Sequence, residues 1–332
     1  MPVDTKRLPV PESSQSPYAF IEEHKNAANY SGGEHCDGRP AEELRPIFME
    51  TGVVNEAKGS AYIELQHTKV ICAVYGPREV TRREDFSMMG QLMCELKFAT
   101  FSCRKRRGHQ PDKRDSEYSL LLQNALEPAI MLDKFPKARM DVFVIVLQDD
   151  GSALAAAISC ASVALASAGV EMYDLVAGCS LTLSGDVKLL DPSTEDEYTS
   201  EKQTDASDTS YGAVTVGLMP SLKQISALSQ EGEMTLDTAN QVIQPSATPC
   251  IVTAFCPVLS CPVLSRPVPS RPAPHRTAQH RTGNCHLSAI QACMAGCQRI
   301  YPVLQKSLEK SVKARQQKQG DRGWQGGSGR RN

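Results

Sequence analysis

The chain has 332 residues, with 36 Lys+Arg, 38 Asp+Glu and a formal net charge of -2. A charged fraction of 22% and a hydrophobic fraction of 41% exclude a wholly disordered chain, and an aromatic fraction of 5% leaves the core to Leu, Val, Ile, Ala and Met. The near-neutral total hides a split: residues 1–244 hold 36 acidic and 23 basic side chains, residues 245–332 hold 2 and 13, which suggests an acidic folded part and a basic end able to meet nucleic acid or a membrane surface.

Residues 1–33 are polar and rich in Pro and Ser, and read as a disordered tail. They contain no apolar run of the kind a secretory leader needs. Order is expected from His35. Ile47–Val54 reads as a strand, and Ser60–Gln66 alternates with Ala61, Ile63 and Leu65 on one face. Lys69–Tyr75 is a short apolar strand expected to end at Gly76-Pro77, and Leu92–Thr100 is another. A helix opens at Asp115 as N-cap, with Tyr118, Leu121, Leu122 and Ala125 on one face. Pro128 should kink it and Phe135-Pro136 end it. Met140–Gln148 is apolar on both faces and should be a central strand.

Gly151–Val170 is the one stretch long and uncharged enough to raise a membrane span. Ser152, Ser159, Ser162 and Ser167 interrupt it and Asp149, Asp150 and Glu171 flank it, so a helix over 152–168, buried on all sides, is expected instead. Asp174–Leu183, Lys188–Leu190, Ala213–Met219 and Lys223–Leu228 read as strands around an acidic Ser/Thr loop at 191–210. A helix should start at Thr235. Strands in runs, each followed by helices, give an α+β body. The six cysteines of residues 1–244 lie far apart, mostly in apolar runs, and are expected to be buried free thiols in a reducing compartment, nuclear or cytoplasmic.

Residues 245–287 break the pattern with a five-residue repeat, CPVLS, CPVLS, RPVPS, RPAPH, and contain no acidic residue. Its Cys and His spacings do not match a zinc site, which leaves a polyproline ligand or low-complexity insertion without a role. The insertion reading is preferred because of the join. With residues 245–291 removed, Gln244 meets Ala292, and Leu236, Ala239, Ile243, Met294, Cys297 and Tyr301 recur at helical steps of three or four. The segment then cuts one amphipathic helix, as a retained intron would, with a C-terminal helix over 288–315 and a disordered basic tail over 316–332.

Three ordered motifs carry a resemblance. His35-Cys-Asp-Gly-Arg39-Pro with Glu43-Leu-Arg45-Pro, Ala57-Lys-Gly-Ser60 with His67-Thr-Lys-Val-Ile71, and Asp150-Gly151 before the Ala-rich helix resemble the RNase PH-like family, closest to its Mtr-type exosome-ring branch. The likeness covers about 35–244 and 289–312. It implies a two-layer α+β fold of the ribosomal-S5-domain-2 type. It also implies assembly with other RNase PH-like subunits into a six-membered ring, capped by S1/KH proteins, that channels single-stranded RNA to a separate exonuclease.

Active relatives of that family perform phosphorolysis of the RNA 3′ end, the alternative function here. Their D-G-G-T-R-T loop cradles phosphate at a helix N-terminus with backbone N–H groups, a hydroxyl and an Arg. The matching run here is Asp150-Gly151-Ser152-Ala153-Leu154, and a Leu cannot replace a bidentate guanidinium. Asp191 fits the first place of the family's carboxylate pair. The second falls on Glu197, with Asp196 one before it, in what reads as a solvated acidic loop. Ser152, Ala153, Leu154, Asp191 and Asp196 are therefore degenerate positions, and no catalysis, metal or other cofactor is expected. Arg104, Lys105, Arg106 and Arg107, with Arg82 and Arg83, form a basic patch suited to RNA phosphates or to an acidic neighbouring subunit. Phe101 beside it could stack on a base. The resemblance places the protein in nucleus, nucleolus and cytoplasm.

Overall fold

The computed structural model describes residues 35–80, 88–103, 106–108, 110, 112–184, 187–197, 211–232 and 284–325. Its strands form two sheets. In the first, β1 (Ile47–Thr51), β2 (Gly59–Leu65), β3 (Thr68–Glu79), β4 (Gln91–Phe98) and β5 (Ala138–Gln148) lie in the order β1-β2-β3-β5-β4. The β4–β5 pair is parallel, with Leu96 beside Val144, and the others are antiparallel. Alternation puts Ala61, Ile63 and Leu65 inside, as their spacing predicts. The second sheet is antiparallel, with β6 (Ala177–Ser184), β7 (Val187–Leu190), β8 (Tyr211–Met219) and β9 (Gln224–Gly232) in the order β7-β6-β8-β9.

Three expectations about these elements need correction. The third strand does not stop at Gly76-Pro77 but runs on to Glu79, absorbing the dipeptide in a register shift between Tyr75 and Arg78. Helix α1 (Lys113–Leu126) is capped by Asp112, whose side chain accepts from the Lys113 amide, and Asp115 lies in its first turn. It ends before Pro128, which sits in a separate 3₁₀ turn, because a proline ring favours the start of a new turn over the interior of an old one. Strand β5 lies between β3 and β4, central as its apolar run predicts, with Phe143 and Ile145 of its second face 39% and 42% exposed.

Helix α2 (Ala153–Ser167) lies between the sheets, against β2 and β3 on one side and β6 on the other. Fourteen of its fifteen residues are buried, so no face remains for solvent, as the Ala/Ser composition predicts. Glycine in each sheet permits the approach. A Cβ on Gly59 would stand 2.4 Å from the Ala164 carbonyl, and one on Gly178 would stand 2.5 Å from that of Ala155. The helix serines bond to the second sheet: Ser162 Oγ accepts from the Val176 amide at 2.8 Å and Ser159 Oγ from Gly178 at 2.9 Å.

Helix α3 (Asn284–Gln325) packs on β6, β8 and β1. It starts before the expected 288 and runs past 315, because residues 305–319 contain strong helix formers and no Gly or Pro. Its buried stripe is Ala289, Cys293, Cys297, Ile300 and Leu304. That is displaced from the expected Met294–Cys297–Tyr301 line, whose outer members are only partly buried. The expected helix at 235–243 and the repeat lie outside the described residues. Among the described residues no helix is long and apolar enough to cross a membrane.

Candidate functional site

The motif residues converge where residues 35–45, the N-terminus of α2 and the loop after β7 meet. Arg45, just before β1, is 1% exposed and reaches Asp191 at the end of β7. Its Nε donates to Asp191 Oδ2 at 3.0 Å and its Nη2 to Oδ1 at 2.7 Å, a fork against a carboxylate. The same guanidinium donates to the Asp150 carbonyl at 2.8 Å, the Gly151 carbonyl at 3.3 Å and Thr68 Oγ1 at 3.3 Å. Thr68 Oγ1 in turn donates to the Gly151 carbonyl at 2.9 Å and accepts from the Asp150 amide at 3.2 Å. Asp191 itself has a left-handed φ of 57°, a conformation that a short polar side chain tolerates.

A second carboxylate is used in the same way. Asp196 is fully buried, and its Oδ2 contacts His35 Nδ1 at 2.9 Å. It also accepts from the amides of Cys36 at 2.8 Å and Ser193 at 3.0 Å. The expected solvated acidic loop is therefore wrong at its beginning: Asp191 and Asp196 are buried ties that hold the D-G-R and L-R-P segments. Arg45, His35 and Thr68 stand within the sequence motifs, whose spacing implies no role for them. The unusual signal was a cluster of polar motif residues beside apolar strands.

The N-terminus of α2 is closed by this loop. Gly151 has φ +81°, and a Cβ there would stand 2.5 Å from the Pro192 carbonyl oxygen and 2.9 Å from the Thr194 nitrogen. Ser152, also left-handed at φ 55°, makes no cap bond with its side chain. Its Oγ donates to the Pro192 carbonyl at 3.1 Å and accepts from Ser180 Oγ at 2.6 Å. Its amide is close enough to the Glu197 carboxyl to favour that group's charge. Ala153 and Leu154 are 7% and 6% exposed and belong to the core. The helix N-terminus thus faces a carboxylate of its own chain.

Electrostatics follow from this crowding. Burial pushes Glu197 up to about 7, and the Asp149 charge adds to it against Arg114. Burial also raises Asp150, with Arg45 and His67 opposing. For Asp191, burial works against the charge but the Arg45 bond and charge outweigh it, and its pKa lies below the ordinary value. Burial likewise opposes the Arg45 charge, and Asp191 more than restores it. Among the described residues, no three His, Cys, Asp or Glu side chains are grouped to hold a metal ion.

The basic patch divides. Arg82, Arg83, Arg104 and Lys105 lie outside the described residues. Arg106 is exposed, and Phe101 beside it is 68% exposed. Arg107 turns inward: its guanidinium lies 4.1 Å from the Phe98 ring centre, 3.6 Å from Asp115 and 4.0 Å from Asp149, and its Nε donates to Cys103 Sγ at 3.2 Å. It neutralises the chain's own carboxylates and leaves the expected patch.

The 3′ exoribonuclease family, domain 1 (RNase PH), matches residues 43–171. The human exosome complex component MTR3 is 33% identical over 332 residues, spanning 95% of this chain and 98% of its own. The chain belongs to the RNase PH family of exosome components. Mouse MTR3 is 40% identical over 249 residues, 70% of this chain and 85% of its own. Exosome complex component Rrp41 of Pyrococcus abyssi is 40% identical over 210 residues, 62% of this chain and 79% of its own. Two solved structures share the RNase PH fold. The Archaeoglobus fulgidus exosome with RNA bound to its active site has a TM-score of 0.54 at 20% identity, covering 68% of this chain and 93% of that one. Rice Rrp46 has 0.50 at 24%, covering 60% and 87%.

Proposed function

We propose that this RNase PH-family chain is a non-catalytic ring subunit of the RNA exosome, which binds and channels single-stranded RNA for 3′–5′ degradation and processing. One observation carries the reading. The helix N-terminus that would receive phosphate is closed by the chain's own loop, with the Pro192 carbonyl against Gly151, Glu197 on the Ser152 amide, and Leu154 in the core. The Glu197 carboxyl occupies the anion's place, repels it wherever pH exceeds about 7, and no guanidinium stands at residue 154 to offset it. The likeness to MTR3 over nearly the whole of both chains supports the same role. Its partners are then the other RNase PH-like ring subunits and the S1/KH cap proteins, in nucleus, nucleolus and cytoplasm. RNA meets Arg106, together with Arg104, Lys105, Arg82 and Arg83 of the same basic sequence patch, through its phosphates, with an affinity that falls as salt rises. Incubating the purified chain with 3′-labelled RNA and inorganic phosphate tests this. No shortening is expected, and phosphate-dependent release of nucleoside diphosphates overturns it.

A further inference from the structure

Three thiols meet where α3 lies on β6. Cys179 of β6 is 2% exposed, and Cys293 and Cys297 of α3 are fully buried. Cys293 and Cys297 stand one helical turn apart and face the same sulfur. Gly296 lets them do so: a Cβ at that residue would stand 2.7 Å from Cys179 Sγ. The two helix thiols are the strongest influences on the Cys179 sulfur. Carbonyls also lie near these sulfurs: Cys179 Sγ donates to the Ser180 carbonyl at 3.7 Å and Cys297 Sγ to the Val216 carbonyl at 3.8 Å, as Cys160 Sγ does to the Ala61 carbonyl at 3.3 Å. What sets the α3–β6 thiols apart is that two of them, one helical turn apart, stand against a third on the other element.

We propose that Cys179, Cys293 and Cys297 form a dithiol–disulfide site, oxidised by a low-molecular-weight disulfide, that staples α3 to β6. The docked thiols are sealed from solvent, so the reagent reaches them when α3 lifts. A helix thiolate, Cys293 or Cys297, attacks the small disulfide, forms a mixed disulfide and expels one small thiolate. Redocking brings Cys179 against that sulfur. The Cys179 thiolate attacks it and expels the second small thiolate. Two protein thiols are oxidised to one disulfide, the small disulfide is reduced to two thiols, and the two protons leave with them. The remaining helix cysteine is placed to attack Cys179 in turn, so the bond can shuttle between 293 and 297. Two S–H donors favour Cys179 as the thiolate of the three, and its pKa lies below the ordinary thiol value. The staple bridges the long connection between β9 and α3, so it holds the helix on the sheet across the segment that separates them in sequence.

The test uses the full reduced chain incubated with oxidised glutathione, then quenched and mapped without reduction by mass spectrometry. The expected product is a peptide containing Cys179 joined to the one containing Cys293 and Cys297, with the loss of two hydrogens and a raised Tm. The Cys179→Ala variant should stop at glutathione on Cys293 or Cys297. The site is overturned if Cys179 stays unlinked once exposed Cys36 carries glutathione, or if the only intramolecular bond joins Cys293 to Cys297. Wild-type mapping decides this even if the variant fails to fold.

Discussion

Replacing Arg45 with Met tests the buried tie between the chain's first motif and its acidic loop. Met keeps the length of the side chain and removes its charge and five donated bonds, two to Asp191, one to Thr68 and one to each of the Asp150 and Gly151 carbonyls. Removing one partner of a buried ion pair costs about 3–5 kcal/mol. The deficit should also depend on pH. In the wild type the Asp191 pKa lies below its ordinary value, so its contribution is present above about pH 3.9 and is lost as pH falls through the folded value. Without the guanidinium, burial becomes the dominant influence and the folded pKa rises above about 3.9. The variant's stability is then fully present below that value and is lost as pH rises, by up to about 1.4 kcal/mol for each unit of upward shift. Urea unfolding followed by far-UV circular dichroism between pH 4.5 and 8, about 0.5 to 4 units above that reference, measures both effects. The gap between wild type and Arg45→Met should widen as pH rises. Asp191→Asn is the control: it strands a guanidinium that does not titrate in this range, so its deficit should stay flat. A deficit below about 1 kcal/mol, or one constant across the range, refutes the reasoning.

Glu197, pushed up to about 7 by burial, has a folded pKa above the unfolded value of about 4.3. It therefore costs stability as pH rises between the two, and Glu197→Gln should gain on the wild type from pH 5 to pH 8 in the same unfolding assay. Arg106→Glu should weaken ultraviolet crosslinking to RNA while changing stability by less than about 0.5 kcal/mol. Arg107→Glu should cost at least about 2 kcal/mol, because it places a third carboxylate between Asp115 and Asp149. Equal effects of the two on stability would argue against their division. Deleting residues 245–291 removes the first eight residues of α3 and puts Val242-Ile243-Gln244 in the register of Ala289-Ile290-Gln291. The shortened chain should keep its helicity. The shorter connection favours it by roughly 2 kcal/mol, so a shortened chain less stable than the full one by more than that amount argues against the insertion reading.

Local pattern made much of this fold readable. The alternation of Ala61, Ile63 and Leu65 names an inner face wherever the strand packs, and an Ala/Ser run can only be a helix between close neighbours. The site was less readable because its meaning depends on distance along the chain. Arg45 and Asp191 lie 146 residues apart. Each sits beside a proline in a polar stretch that looks solvated until the other arrives. Asp196 and Glu197 are neighbours in a run of acids, yet one is tied to His35 and the other faces a helix end. Arg106 and Arg107 are identical residues in one charge run, and only the position of Phe98 and Asp115 sends one inward. Periodicity reports which way a side chain faces within an element. It does not report what stands opposite a loop.

The place of α3 in the fold has a consequence for synthesis. The core face of β6, with Cys179 and Leu181, is covered by a helix whose last buried contact among the described residues is Leu304. A chain growing from its N-terminus carries both sheets before that cover exists. The second sheet must wait, with apolar surface bare, while the ribosome adds the repeat and then the helix. Each added residue of connection lengthens that wait. A long insertion ahead of α3 therefore acts first on the nascent chain, as time during which a chaperone or another subunit can reach β6 before the protein's own helix does.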